Sequence, residues 1–552
     1  MVAAVPAEVS ADCIIVGAGF SGCYSMYMLR QQGYSAKMID AGSDFGGVWH
    51  SHRYPGALVD SPPPLYQLSI PKVWQGFNFR LRFPDQREMQ AYFQHVAEIL
   101  DLRRDAIFRH SIVDTRYDGD TGLWHLRSDK GLRATGRYVF FATGTTNKAY
   151  IPEFPGLERF KGQVVHTHDW PDDLFLGGKK KIALIGQGST GTQVAQEIAK
   201  LDADVTVFVR TPNTGYPLRQ GTLTIGETER WKSLYHGYFP EAKSSGWATL
   251  SINTPARSFH EDALAQHREN WELAWRSGGF DVLVGNYPEI MADKTANAAF
   301  YEFWREKTLP RIKDPVKREI LAPREQPGWF MARRPVMEAD YYEMMDRDNV
   351  ALVDLKQSPI REFTETGIIT HETAGSKETR LHEFDLVILA TGYDSVTGSL
   401  YGMNIRDRHG ALLQDRWRAG GVRTHLGMMM PGLPNAFLLY GPQAPGPLTN
   451  GPTFIELQVD MLCGLLARAR ADGRQVLEAT AAAAERWREK LRAGYEVLLA
   501  SEADSWWVGS NIPGKRREPL TWFSGVPAWR EECEASLRSW DDFEPGKTAA
   551  KL

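Results

Sequence analysis

A chain of 552 residues, 43% of them apolar and 24% charged, is too long for one ordinary core and too apolar to be disordered, so two or three domains are expected. Its formal charge of −4 gives no basic footprint for nucleic acid or an anionic membrane surface. Four scattered cysteines, Cys13, Cys23, Cys463 and Cys533, exclude a disulfide framework and a zinc site, so no metal is expected and a reducing compartment is implied.

The first element in chain order is a buried strand, Asp12 to Val16, running straight into Gly17-Ala-Gly19-Phe-Ser-Gly22. That continuity argues against a signal peptide, and no stretch approaches the roughly 18 apolar residues of a membrane span. A helical pattern follows through Tyr24, Met26, Tyr27 and Leu29. Gly17 makes the tight turn, Gly19 lets backbone approach a pyrophosphate, and Gly22 lets the helix pack on the sheet. The helix N-terminus then offers free N–H groups and a positive dipole end to phosphate. A second strand, Ala36 to Ile39, ends at Asp40, roughly 20 residues on, where an acid accepts hydrogen bonds from ribose hydroxyls. Next come Gly46-Gly47-Val48-Trp49, Arg53-Tyr54-Pro55-Gly56 and Asp60, then a stiff Ser61-Pro62-Pro63-Pro64 run that holds Tyr66 close by. Phe140 to Gly144 reads as a strand ending at an Ala-Thr-Gly turn, echoed at Ile388 to Tyr393.

After Phe160-Lys-Gly162 and His166-Thr167-His-Asp-Trp170-Pro171, a second strand–turn–helix unit begins. Lys181 to Ile185 leads into Gly186-Gln187-Gly188-Ser189-Thr190-Gly191-Thr192-Gln193, and the strand Asp204 to Val209 ends in Arg210-Thr211-Pro212. Where the first unit carries an acid, this one carries a cation. An arginine suits the 2′-phosphate of NADP, which an acid would repel, so FAD is expected at the first turn and NADPH at the second. Two dinucleotide sites on one chain imply electron transfer between them, and the lack of a redox cysteine pair rules out a disulfide as acceptor. From about Glu227 to Lys313 the pattern becomes aromatic-rich and helical, including Trp271, Trp275, Phe300 and Trp304, and reads as an inserted subdomain. Arg333-Arg334-Pro335 and Tyr341-Tyr342-Glu343 follow, and near the C-terminus lies Ser505-Trp506-Trp507-Val508-Gly509-Ser510-Asn511-Ile-Pro513-Gly514-Lys515.

Together these segments resemble the type I Baeyer–Villiger monooxygenases from Asp12 to Gly525. Phe160 to Pro171 matches the pattern FxGxxxHTxxWP, and Gly46 to Asp60 matches GGxWxxxRYPGxxxD, at every fixed position. Arg333 to Asp354 resembles KRPxxxxxYYExxNxxNVxLVD, with Arg333 in place of the usual lysine. Ser505 to Lys515 resembles SWxxGANxPGK, with Ser510 in place of alanine. The resemblance implies an α/β fold of two dinucleotide-binding, Rossmann-like domains, the second interrupted by a helical insert. The expected division is 1–149 and 383–552 for FAD, 150–225 and 331–382 for NADP, and 226–330 for the insert.

The resemblance also implies roles. Gly47, Val48, Trp49 and Tyr66 would lie by the flavin, Arg334 would be the active-site arginine, and Asp60 would orient it. Arg333 would help hold the NADP phosphate, Gln187 stands where relatives often carry a smaller residue, and Trp506 would belong to a mobile loop over the nicotinamide. His166 would stabilise the interdomain linker. The implied chemistry uses NADPH and O2 to form a flavin C4a-peroxide that attacks a ketone, giving an ester or lactone, with Arg334 stabilising negative charge and retained NADP excluding water. The rival reading, a nitrogen- or sulfur-oxygenating flavin monooxygenase, lacks Thr167, the Trp170-Pro171 pair and Arg334 in this context. A non-catalytic NADP-sensing flavoprotein is opposed by the intact turns, Asp60 and Arg334. A monomer or weak dimer without a membrane span is expected, in the cytoplasm, with the C-terminal Ala550-Lys551-Leu552 as a peroxisomal alternative.

Overall fold

An apolar run that ends at a glycine turn is buried on both faces only inside a parallel sheet, and the chain builds one such sheet around each turn. The structure is a computed structural model that describes residues 7–250, 255, 257–446 and 448–545, so Ala550-Lys551-Leu552 lies outside the described residues.

In the first sheet β1 (Glu8–Val16) leads through Gly17 into α1 (Phe20–Gln31), then β2 (Ala36–Ile39) and, further on, β3 (Arg133–Phe141). β1 lies between β2 and β3, parallel to both, with Ile15 opposite Met38 and Phe140. The strand Ala436–Leu438 returns from far along the chain to pair in parallel with Val139–Phe141. Strands Ile112–Asp118 and Leu123–Ser128 extend the same eight-stranded sheet antiparallel.

The second sheet repeats the plan with β4 (Lys180–Ile185), α2 (Ser189–Ile198) and β5 (Ala203–Val209). Its five strands are all parallel, with Val350–Asp354 outside β5 on one side, and β6 (Leu386–Leu389) and Gln163–His166 on the other. This is the expected α/β fold with two Rossmann-like sheets.

Between β5 and Val350–Asp354 the chain forms helices at Ile225–Ser244, Leu264–Ser277, Asp281–Val284, Lys294–Thr308 and Pro315–Leu321. The first opens on a reciprocal capping box between Thr224 and Glu227. Trp271, Trp275, Phe300 and Trp304 are buried and form the core of this insert. A feature without a sequence signal closes its base: Gly215–Pro217 pairs in parallel with Val336–Glu338, joining the chain just before the insert to the chain just after Arg334. All four cysteines are buried and unpaired, and among the described residues no helix is long and apolar enough to cross a membrane and no cluster suits a metal ion.

Candidate active site

The two glycine turns are built alike to within a few tenths of an ångström. The Gly17 N–H donates to the Ile39 carbonyl at 2.9 Å, and the Ala142 N–H to Val16 at 2.8 Å. In the second unit the Gly186 N–H donates to Phe208 at 3.2 Å and the Ala390 N–H to Ile185 at 2.9 Å. Each Ala-Thr-Gly turn thus lays its alanine carbonyl across the first glycine. A Cβ on Gly17 would stand 2.3 Å from the Ala142 oxygen, and one on Gly186 would stand 2.5 Å from that of Ala390, while both residues have positive φ. Only glycine fits. The third glycines are as tight, because a Cβ on Gly22 or Gly191 would meet the carbonyl oxygen of Gly17 or Gly186 at 1.9 or 2.1 Å.

α1 and α2 begin at Gly19 and Gly188 with no side chain capping them. Their first N–H groups are therefore left for another acceptor, the arrangement that receives a dinucleotide pyrophosphate. Asp40 holds the first loop, its two carboxylate oxygens accepting from the Ala18 and Gly42 N–H groups at 2.7 and 2.6 Å. Burial raises its carboxyl above the usual range, against the pull of those amides. The loop contacts were not legible beforehand, and they aim the acid as well as engage it.

Gly47 lies against Gly19, and the short helix Val48–Ser51 that follows buries Trp49. The Trp49 ring meets Tyr66 edge-on at 5.8 Å, and Tyr66 meets Phe20 of α1 edge-on at 5.5 Å. Asp60 completes this wall. Its carboxylate pairs with the Arg334 guanidinium at 2.6 Å, both side chains about one-quarter exposed. Burial alone would lower Arg334; the charge of Asp60 and the nearby Tyr440 and Tyr66 hydroxyls outweigh it and hold the guanidinium above the ordinary arginine value. The site therefore keeps a fixed positive charge, half-covered and aimed by a carboxylate.

In the second unit Gln187 is buried, donates from Nε2 to the Tyr341 hydroxyl at 2.6 Å, and leaves its buried Oε1 without a hydrogen-bond partner. An unpaired buried acceptor is costly, which fits a donor on a bound dinucleotide. Gly188 and Ser189 are exposed at the helix start, and Thr190 is half-buried. Thr192 is buried, and Gln193 is committed elsewhere: its Oε1 accepts from the Tyr54 hydroxyl at 3.0 Å and its Nε2 donates to the Leu58 carbonyl at 3.1 Å. α2 thus packs on the Arg53-to-Gly56 segment. Arg210 is exposed at the end of β5, beside half-buried Thr211. Burial and the neighbouring charge of Arg210 both lower Arg333, whose Nε donates to the Asp504 carbonyl at 3.0 Å. Two like charges so placed suit a phosphate between them.

Trp506 and Trp507 divide their tasks. Trp507 is fully buried against Phe523 at 5.2 Å, Trp506 is half-buried, and both border a small gap lined by Thr145, Val396, Tyr440 and Thr521. Their loop is fastened to the second Ala-Thr-Gly turn, with Asn511 Nδ2 donating to the Tyr393 carbonyl and Lys515 Nζ to Asp394, both at 2.8 Å. Sequence reasoning passed over two further residues here. Tyr440, at φ +53, is a non-glycine residue in the left-handed region beside Arg334. Phe280 lies with its ring 5.0 Å from the Arg334 guanidinium carbon. His166 sits at a strand end, its Nδ1 accepting from the His168 N–H at 3.1 Å, with its ring edge-on to Tyr393.

The pattern of the Flavin-binding monooxygenase-like family matches residues 11–220. Cyclopentanone 1,2-monooxygenase of Comamonas sp. is 38% identical over 94% of this chain and 92% of its own length. A Baeyer–Villiger monooxygenase of Pseudooceanicola batsensis is 35% identical over 95% and 94%. The crystal structure of cyclohexanone monooxygenase from a Rhodococcus species, bound to NADP+, superimposes with a TM-score of 0.91 at 32% identity, covering 98% of this chain and all of that one. The chain belongs to the flavin-dependent Baeyer–Villiger monooxygenases.

Proposed function

We propose that this chain binds FAD on the Gly17 turn and NADPH on the Gly186 turn, and uses O2 to convert ketones to esters or lactones at Asp60–Arg334. One oxygen atom is inserted between the carbonyl carbon and its neighbour, the other leaves as water, and NADPH supplies the two electrons. The observation that carries the reading is the 2.6 Å Asp60–Arg334 pair, which brings a fixed cation to the wall formed by Gly47, Trp49 and Tyr66. The relatives named for cyclopentanone and cyclohexanone oxidation support a cyclic ketone as the substrate class. In the proposed division, residues 1–149 and 383–552 hold FAD, 150–225 and 331–382 hold NADP, and 226–330 cover the substrate side.

When bound, FAD and NADPH supply oxygen activation and hydride. The protein supplies charge and shape. Arg334 offers N–H donors where a carbonyl oxygen under attack becomes negative, a preorganised field whose donors are typically worth 10²–10³ in rate each. Asp60 fixes the direction of the guanidinium, and Trp49, Tyr66 and Trp506 exclude water from it. Arg210 and Arg333 would hold the 2′-phosphate, and the unpartnered Gln187 Oε1 would accept a hydrogen bond from the bound dinucleotide.

Arg334→Ala tests this directly. The variant is expected to keep its yellow colour and FAD content and to lose ester or lactone formation by at least about 10². Normal product formation would remove Arg334 from the reaction and with it the reading of the site.

A further inference from the structure

We propose that Phe280 is a positioning residue for Arg334, so that the helical insert acts on the reaction centre through one aromatic ring; this rests on the function proposed above. Arg334 is held on two sides. Asp60 takes an edge of the guanidinium at 2.6 Å, and the Phe280 ring lies 5.0 Å from its central carbon. The ring face carries negative charge density and attracts a guanidinium stacked on it.

The insert is shaped to deliver that ring. The helix Leu264–Ser277 ends at Gly278 and Gly279, both in the left-handed region at φ +68 and +61. A Cβ on Gly278 would stand 2.3 Å from Arg219 Cγ, and one on Gly279 would stand 2.8 Å from the Phe83 ring and 3.8 Å from the Asp60 carbonyl oxygen. The bend therefore packs against the Phe83 ring and passes near the backbone of Asp60, the residue that pairs with Arg334. Phe280 is next held from its C-terminal side by α3 (Asp281–Val284), whose Leu283 and Val284 N–H groups donate to its carbonyl at 2.8 and 3.0 Å.

Both partners also hang from the same ribbon. The Gly279 N–H donates to the Pro217 carbonyl at 2.9 Å, and Gly215–Pro217 pairs with Val336–Glu338, which begins two residues after Arg334. Arg82 reinforces the bend by donating to the Ser277 carbonyl at 2.9 Å. Phe280 packs on the edge of the core but is only partly buried, unlike Trp271, Phe300 and Trp304, and its ring lies against Arg334. The arrangement makes the orientation of Arg334 depend on the insert being seated.

The test compares Phe280→Leu, Phe280→Met, Phe280→Tyr and Phe280→Trp as FAD-loaded, full-length enzymes on cyclopentanone and cyclohexanone. Leu and Met keep an apolar side chain without a ring face; Tyr and Trp keep the face. The expected result is a fall of about tenfold in kcat for ketone conversion with Leu and Met. FAD content, melting temperature and the NADPH KM should be unchanged, and Tyr or Trp should restore kcat. Crystals of the Leu variant should show Arg334 still paired with Asp60 but with its guanidinium plane rotated about that contact. Unchanged kcat with Leu or Met, or the same loss with all four variants, would overturn the proposal. A product-forming Arg334→Ala enzyme would instead sink the underlying reading of the site, and the two failures are distinguishable.

Discussion

The Tyr54 hydroxyl donates to Gln193 Oε1 at 3.0 Å, which ties the flavin-side fingerprint to the helix that opens the second nucleotide site. Both side chains are buried, and Gly56 approaches the Gln193 carbonyl so closely that a Cβ would stand 2.6 Å from it. The two glycine turns are thereby tied together by a contact made between protein side chains alone. Losing the hydroxyl strands a buried amide oxygen, at a cost of about 1–3 kcal/mol.

Tyr54→Phe should therefore lower the melting temperature while FAD stays bound, and should release more hydrogen peroxide per NADPH consumed as the two sites lose their register. Oxygen-electrode and peroxide assays check this. Full coupling together with wild-type stability would show that the bond is dispensable.

Arg210 defines the cofactor prediction. It stands at the end of β5 where the fold presents a ribose, with Arg333 close enough for the two charges to be felt mutually. Arg210→Ala should raise the NADPH KM by at least about tenfold, the scale of one lost charge-assisted hydrogen bond, and leave the NADH KM nearly unchanged. Steady-state kinetics with both nucleotides decide it, and equal losses for the two would sink the phosphate assignment.

What could be read in advance was what is local. A strand, a glycine turn and a helix occupy one short window, so Gly17–Gly22 and Gly186–Gly191 were visible with their neighbours β1, α1, β4 and α2. Gln193 shows where that reading stops. Its place after the glycines suggested the cofactor, but its side chain is taken by Tyr54 and Leu58, from a segment well over a hundred residues earlier. Phe280 follows a Gly-Gly pair that reads as an ordinary turn; only the ribbon Gly215–Pro217 with Val336–Glu338 puts it over Arg334, and strands of three residues carry no periodic signal. Arg334 itself was found through the Pro335 and Tyr341-Tyr342-Glu343 pattern, and its pairing with Asp60, which the family resemblance led one to expect, takes its 2.6 Å geometry from the long-range fold.

Trp506 carries a prediction about a moving part. Its loop is held to the second Ala-Thr-Gly turn by polar contacts from Asn511 and Lys515. Such contacts can open without disturbing Trp507, which is sealed in the core. Removing NADP should expose residues 509–515 to hydrogen exchange or proteolysis and free the Trp506 side chain, and Trp506→Ala should consume NADPH while releasing hydrogen peroxide. Equal protection with and without NADP, combined with full coupling in the variant, would make Trp506 an ordinary packing residue.

Acid sensitivity should trace to the histidines between the two fingerprints. His52 Nε2 lies 3.4 Å from His168 Nδ1 and 3.1 Å from the Tyr393 hydroxyl, with its ring stacked on that of Tyr393 at 5.3 Å. Burial, then the neighbouring His168 and His166, pushes His52 down to about 3; burial lowers His168 as well, against Asp169. The surrounding charges are the Arg53–Asp172 pair and Asp169. In the unfolded chain these imidazoles titrate near 6.5, so as pH falls the unfolded state takes up protons first. Their contribution is thus fully present above about 6.5 and is lost progressively toward 3, each unit of depression being worth about 1.4 kcal/mol. The melting temperature should drop between pH 6.5 and 5, and His52→Asn with His168→Asn should flatten that limb relative to wild type, leaving the slope from the other burial-lowered histidines, His50, His166, His382 and His425, the last lowered to about 4. Melting curves followed by flavin fluorescence across this range provide the measurement. An identical slope in the double variant would place the acid-labile groups elsewhere.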